Sequence, residues 1–212
     1  MMLSMQIILL SVVTLALADW DANTAKILQM HNDYRRQILQ CKVDGQPAAK
    51  RMPQLVWDKE LASQAKALSR TCKLSTNSPT NRRFRFVGQN AGTCTSVENV
   101  MERWFSQHKS YNFKNHQCSG QCLNYLQMIF ENTTYIGCGV TKCQTKDKRQ
   151  YFLAVCNYGP GVDTSVRPYE ARNINEVCPV KETVAPVQPE HGQWQPTMGT
   201  MKFNSRNCYC FQ

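Results

Sequence analysis

The sequence predicts an α+β domain stapled by disulfides, and three observations predict it. Helical spacing dominates the chain up to Phe130. Two strand-like segments able to pair as a hairpin follow it. The chain also carries 11 cysteines behind an apolar leader. Helices first and paired strands last is the element order of an α+β domain. At 212 residues the chain suffices for one sizeable core and a tail.

Met1–Ala18 has no charged side chain, an apolar centre and small residues at Ala16 and Ala18. This is the pattern of a secretory signal peptide cut before Asp19, and the run is too short for a transmembrane anchor. An extracellular, secreted protein is expected. In that oxidising compartment cysteines read first as disulfides, and an odd count leaves a thiol over. Lys and Arg number 25 against 15 Asp and Glu, a formal net charge of +10. That balance favours anionic surfaces or sulfated glycans as partners. No nucleic-acid reading motif is present.

Asn23 is read as the cap of a helix over 24–40, with Ile27, Met30, Tyr34 and Ile38 as its apolar stripe. Leu55-Val56-Trp57 precedes a second helix beginning near Asp58, which buries Leu61, Ala62, Ala65 and Leu68. Polar residues 73–83 form a loop, and 84–90 a strand. Thr95-Ser96-Val97-Glu98 reads as a capping box opening a helix that turns Val97, Val100, Met101, Trp104 and Phe105 inward. A loop over 109–122 leads to a helix ending near Phe130. Residues 135–143 and 150–158 form the hairpin, joined by the charged connection 144–149. From Asp163 the composition shifts to Pro, Gln and Thr without periodicity. Three segments result: signal peptide 1–18, domain 19–162, and a mostly disordered Cys-containing extension 163–212, pinned if anywhere by Cys178, Cys208 or Cys210.

Two stretches are the most specific. Asn124–Gly139 reads NYLQMIFENTTYIGCG, and Tyr151–Gly161 reads YFLAVCNYGPG. Together they resemble the signature motifs of the CAP superfamily, which groups cysteine-rich secretory proteins, antigen 5 and pathogenesis-related proteins. Tyr125, Gln127, Met128, Cys156, Asn157, Tyr158 and Pro160 match. His31-Asn32-x-x-Arg35, Leu55-x-Trp57 and Gly88-Gln89-Asn90 follow the family's order and spacing. The resemblance covers roughly 25–160 and points to the venom-allergen-like branch. It implies a three-layer α-β-α sandwich (the CAP, or SCP, fold). It also implies that Cys138 pairs with Cys156 and Cys72 with Cys143. The pairing of the other seven cysteines stays open.

Many family members hold a divalent ion between two histidines and two glutamates. In this sequence the matching positions are Thr76, Gln89, Gln107 and Asn124. Neutral amides and a hydroxyl offer neither anionic oxygens nor imidazole nitrogens, so no metal and no cofactor are expected. The segment His116-x-Cys118-x3-Cys122 reads as a local disulfide with a solvated histidine. With no base or carboxylate pair at the cleft, no catalytic residue is assigned and an enzyme is not expected.

Binding is the remaining class. Trp104, Tyr111, Phe113 and Tyr125 are the lipid-binding candidates, in a segment that is similarly aromatic in sterol-binding family members. Trp104 and Tyr125 also read as core, while Tyr111 and Phe113 read as partly exposed. A fatty acid channel between the first and fourth helices is a second family site. Arg82-Arg83-Phe84-Arg85 and Lys146-Asp147-Lys148-Arg149 are the strongest basic clusters, read first as solvated surface. Asn132-Thr133-Thr134 is the single N-glycosylation sequon. The expected function is a secreted, non-enzymatic carrier of a sterol or fatty acid. A protein- or glycan-binding effector without lipid is the alternative, and a metal-dependent hydrolase the third choice.

Overall fold

Helix α1 (Ala22–Leu39) turns Ile27, His31, Arg35 and Ile38 inward, a three-to-four-residue spacing that makes one buried stripe. The computed structural model describes residues 22–179 and 208–211, so the leader 1–18 lies outside the described residues. Asn23, read as the cap, sits inside α1. Strand β1 (Val56–Trp57) is followed by α2 (Lys59–Ser69), whose cap is Asp58: its carboxylate accepts the Leu61 amide at 2.8 Å. Leu61, Ala65 and Ser69 are the buried residues of α2, whereas Ala62 and Leu68 are half-buried.

The strand expected over 84–90 lies further on, as β2 (Gly88–Cys94). Pairing with the later hairpin begins only at Gly88, opposite Tyr158. Phe84 is instead held in a turn, its ring tilted against that of Tyr135 with centroids 5.6 Å apart. Helix α3 (Val97–Ser106) is capped by Ser96, which accepts the Asn99 amide at 3.2 Å. The expected Thr95 cap is thus displaced by one residue, and Glu98 pairs with Lys26 on α1. The 107–122 segment is ordered as a 3-10 turn (Gln107–Ser110) and a small hairpin, β3 (Tyr111–Asn112) with β4 (Gln117–Cys118). Helix α4 (Leu123–Ile129) and the long hairpin of β5 (Tyr135–Gln144) and β6 (Gln150–Gly159) complete the pattern read from sequence.

Strand β7 (Tyr209–Phe211) closes a five-stranded sheet of order β1-β5-β6-β2-β7, parallel only at β1–β5. Alternation along the strands sorts the core. Ile136, Cys138, Ala154, Cys156 and Tyr158 share one cluster with α1, α3 and α4, while Ala91, Leu153 and Val155 pack with Ala65 of α2. Three layers result, helix–sheet–helix. Gly137 and Gly139 let α2 lie directly on β5: a Cβ at Gly139 would come within 2.2 Å of the Lys66 Cα.

Disulfides join Cys72 to Cys143 and Cys138 to Cys156, the two pairs implied by the resemblance, and Cys118 to Cys122. Cys41–Cys178 and Cys94–Cys208 tie down the extension. Residues 163–179, read as the start of a disordered extension, are held to the domain by specific bonds. The Tyr169 hydroxyl donates to the Pro47 carbonyl at 2.8 Å, and Arg172 to that of Ala49 at 3.1 Å. Composition does not show such backbone partners far away in sequence.

Candidate functional site

The four family cleft positions fall into two hydrogen-bonded groups. On the α1–α3–α4 side, the Gln107 amide donates to Asn124 Oδ1 at 2.9 Å. Its own oxygen accepts the amides of Asn124 at 3.0 Å and Tyr125 at 3.3 Å. Gln107 ends α3 and Asn124 begins α4, so this pair stitches two helix termini together and is buried. On the other side, Gln89 donates to Asn157 Oδ1 at 2.7 Å and to Asn77 Oδ1 at 2.8 Å, and accepts the Asn77 amide at 2.9 Å. Asn157 in turn donates to the Leu61 carbonyl of α2 at 3.0 Å. The exposed Thr76 borders the same groove as Gln89, with a volume of ≈ 570 Å³. Alternation along β2 sends Gln89 to the face of Ala91, and Asn90 to the face where its side chain donates to the Asn124 carbonyl at 3.0 Å.

These residues do not fit a divalent cation. Every donor is neutral, and the amide groups of Gln89 and Gln107 are already committed to protein partners. Among the described residues no group of three His, Cys, Asp or Glu side chains is placed to hold a metal. The three histidines among the described residues are engaged elsewhere. His31 bonds the Ile27 carbonyl and the Tyr158 hydroxyl, both at 2.8 Å, and burial lowers its pKa to about 4. Burial also lowers that of His108, whose ring bonds the Phe105 carbonyl. His116 links the Tyr111 hydroxyl at 2.7 Å to the Thr164 carbonyl at 3.0 Å, a structural role rather than the solvated one read from sequence.

The aromatic candidates are core residues. Trp104 and Tyr125 are 0% exposed, as the packing reading has it. Tyr111 and Phe113 are 5% and 2% exposed, which corrects the expectation that they are partly exposed. The reason is tertiary: Phe113 packs at a tilt against Tyr169 of the extension, with ring centroids 4.6 Å apart, and Tyr111 meets Phe113, His116 and Tyr125 edge-on or tilted. Both still border an open groove of ≈ 1030 Å³ between the β3–β4 hairpin and the segment near Gly45 and Val177. Gln46, which sequence reasoning missed, supports this groove by donating to the His108 and Tyr111 carbonyls at 3.1 and 3.0 Å. Cys178 was the one sequence signal that the extension reaches this site.

The seam between α1 and α4 is occupied by Arg35. Its guanidinium bonds the carbonyls of Pro53, Met128, Phe130 and Thr133 at 2.8 to 3.2 Å, and burial lowers its pKa to about 10. In the first basic cluster, Arg83 pairs with the Asp58 carboxylate and lies 4.5 Å from the Tyr135 ring centroid, whereas Arg82 and Arg85 are exposed. At the hairpin tip, Arg149 pairs with Asp147. Asn132 is exposed on the turn between α4 and β5. Among the described residues no helix is long and apolar enough to cross a membrane.

Known proteins share this architecture and these motifs. The family model for the cysteine-rich secretory protein family (CAP) matches residues 28–158. GLIPR1-like protein 1 of Mus musculus is 35% identical over 161 residues, 71% of this chain and 65% of the mouse protein. The chain thus spans just under two thirds of that relative's length. Venom allergen 5 of Vespa magnifica is 32% identical, over 71% of this chain and 73% of the wasp protein. The structure of Schistosoma mansoni venom allergen-like protein 4 superposes with a TM-score of 0.67 at 36% identity, covering 74% of this chain and 99% of that one. With the family model over most of the domain and relatives above 30% identity, the chain belongs to the cysteine-rich secretory protein (CAP) family.

Proposed function

We propose that this chain is a secreted CAP-domain protein of the venom-allergen-like kind that acts by recognition rather than catalysis, with a sterol or a fatty acid as its cargo. The observation that carries the reading is the Gln107–Asn124 amide pair: where the family's ion pocket supplies charged and imidazole ligands, two uncharged side chains bind each other. Such a pair has no base to take a proton and no anion to hold a Lewis acid. Of the two cargoes the geometry favours a sterol. The groove beside Tyr111 and Phe113 is open and large enough for a flat ligand. The α1–α4 seam, the alternative for a fatty acid, is filled by the Arg35 guanidinium.

The test is lipid extraction and mass spectrometry of protein secreted by eukaryotic cells, followed by titration with cholesterol and with palmitate. Saturable cholesterol uptake, weakened by Val177→Arg at the groove rim, is expected. No co-purifying lipid and no saturable uptake of either ligand removes the carrier reading. The exposed Arg82 and Arg85, with the net charge of +10, favour a second reading, a protein- or glycan-binding effector without cargo. A metal-dependent hydrolase would instead show stoichiometric zinc by elemental analysis.

A further inference from the structure

Three cysteines meet on one face of the sheet edge. Strand β7 runs antiparallel to β2 with Thr93 opposite Tyr209 and Gly92 opposite Cys210. The same register sets Cys94 opposite Cys208, and these two are bonded, with Cα atoms 4.3 Å apart. Cys208 and Cys210 are two residues apart, so both side chains leave the same face. That face carries α3, and Arg103 and Trp104 stand beside the Cys210 sulfur. The other ten cysteines are paired, so Cys210 is the odd thiol of the chain. The buried Trp104 indole N–H has no nitrogen or oxygen acceptor.

We propose that Cys94, Cys208 and Cys210 form a thiol–disulfide exchange site, in which Cys94 alternates between Cys208 and Cys210 while β7 slides two residues along β2. The Cys210 thiolate attacks the Cys94 sulfur, a Cys94–Cys210 bond forms, and the Cys94–Cys208 bond breaks. Cys208 leaves as thiolate and takes up, through solvent, the proton that Cys210 gave up. Cys210 passes from thiol to disulfide and Cys208 from disulfide to thiol, with no net oxidation, so no external oxidant is needed. A two-residue slip keeps every side chain on its own face, whereas a one-residue slip would invert them all. The strand is three residues long, so few ladder bonds must be remade. Burial raises the Cys210 thiol to about 11 against the opposing pull of Arg103 and the Trp104 N–H. Exchange is therefore slow at neutral pH and about tenfold faster for each pH unit of added base.

The exchange would remodel a groove. Leu74, Thr93, Arg149, Tyr151 and Tyr209 border a cavity of ≈ 560 Å³ on the α2 side of the sheet, and Tyr209 is 64% exposed there. After the slip, Tyr209 stands opposite Thr95 instead of Thr93, and since both threonines border the cavity its ring is displaced along the groove.

The test uses the full secreted chain, incubated at pH 7 and pH 9, quenched in acid, unfolded, and labelled with N-ethylmaleimide at low pH. Peptide mapping by tandem mass spectrometry then locates the label. Label on both Cys208 and Cys210, reached about a hundredfold faster at pH 9 than at pH 7, is expected. In a Cys208→Ser variant, Cys94 and Cys210 should bond and leave no labelled thiol. Label on Cys210 alone after prolonged incubation at pH 9 overturns the proposal, as do two free thiols in a folded Cys208→Ser variant. If that variant does not fold, the labelling of the unaltered chain decides.

Discussion

At the scale of single residues, the polar interior carries much of the specificity. Gln107 accepts two backbone amides at the start of α4 and donates to Asn124. Gln107→Ala removes all three of these buried hydrogen bonds at once, which costs about 1–3 kcal/mol; urea unfolding at pH 7 measures it. His31 gives a pH signature. Its folded pKa, about 4, lies below the ordinary imidazole value of 6.5 because burial disfavours the charged ring. The unfolded chain therefore binds more protons below pH 6.5, and the stability tied to neutral His31 is complete above that value. It declines as pH falls towards 4, by about 3 kcal/mol in full. A His31→Gln variant, less stable at pH 7, should show a flatter profile between pH 6.5 and 4. A slope equal to that of the unaltered chain would assign the acid sensitivity to other groups.

At the scale of elements, close approach and crosslinks set the layers. Gly139→Ala puts a methyl 2.2 Å from the Lys66 Cα, which is backbone and cannot swing aside. The α2 layer must lift, for a loss of about 1–3 kcal/mol in denaturant titration. Disulfide removal should scale with loop length. Cys72 and Cys143 are 71 residues apart, Cys118 and Cys122 four. Loop-closure entropy then assigns about 4 kcal/mol to the first and about 2 kcal/mol to the second. Paired serine substitutions compared by thermal unfolding test the order, and equal losses would contradict it. Element identity was largely legible in advance, because helix and strand periods differ and the hairpin alternates visibly. Boundaries that depend on partners were not. The start of β2 is fixed by its register with β6, and the α3 cap by which hydroxyl reaches the Asn99 amide.

At the scale of the whole molecule, the net charge of +10 acts on long-range association. Retention on a heparin column should fall steeply with salt. Replacing Arg82 or Arg85 singly by Ala should weaken it more than replacing Arg83, which is committed to Asp58 and Tyr135. Equal effects would mean that retention reads only total charge. The candidate site was legible in part: Gln89, Gln107 and Asn124 stand on motif anchors, and their neutrality needs no coordinates. Gln89 falls on the opposite face of the sheet from Gln107 and Asn124 because alternation along β2 turns it away from the side that Asn90 faces, which a linear motif does not record. The burial of Tyr111 and Phe113 was not legible, because Tyr169 covers Phe113 from more than fifty residues away.

Local chemistry and the family resemblance together determined the order of elements, the family, the absence of charge at the family's ion positions, two disulfides by resemblance and a third, Cys118–Cys122, as a local pair. Each of these depends on residue types at short spacing or on ordered motifs. The tertiary structure alone decided how the extension is anchored, which aromatics are covered, how the amides pair and where the odd thiol lies. Those outcomes arise from contacts between segments far apart in the chain, and such contacts leave no periodic mark on either partner.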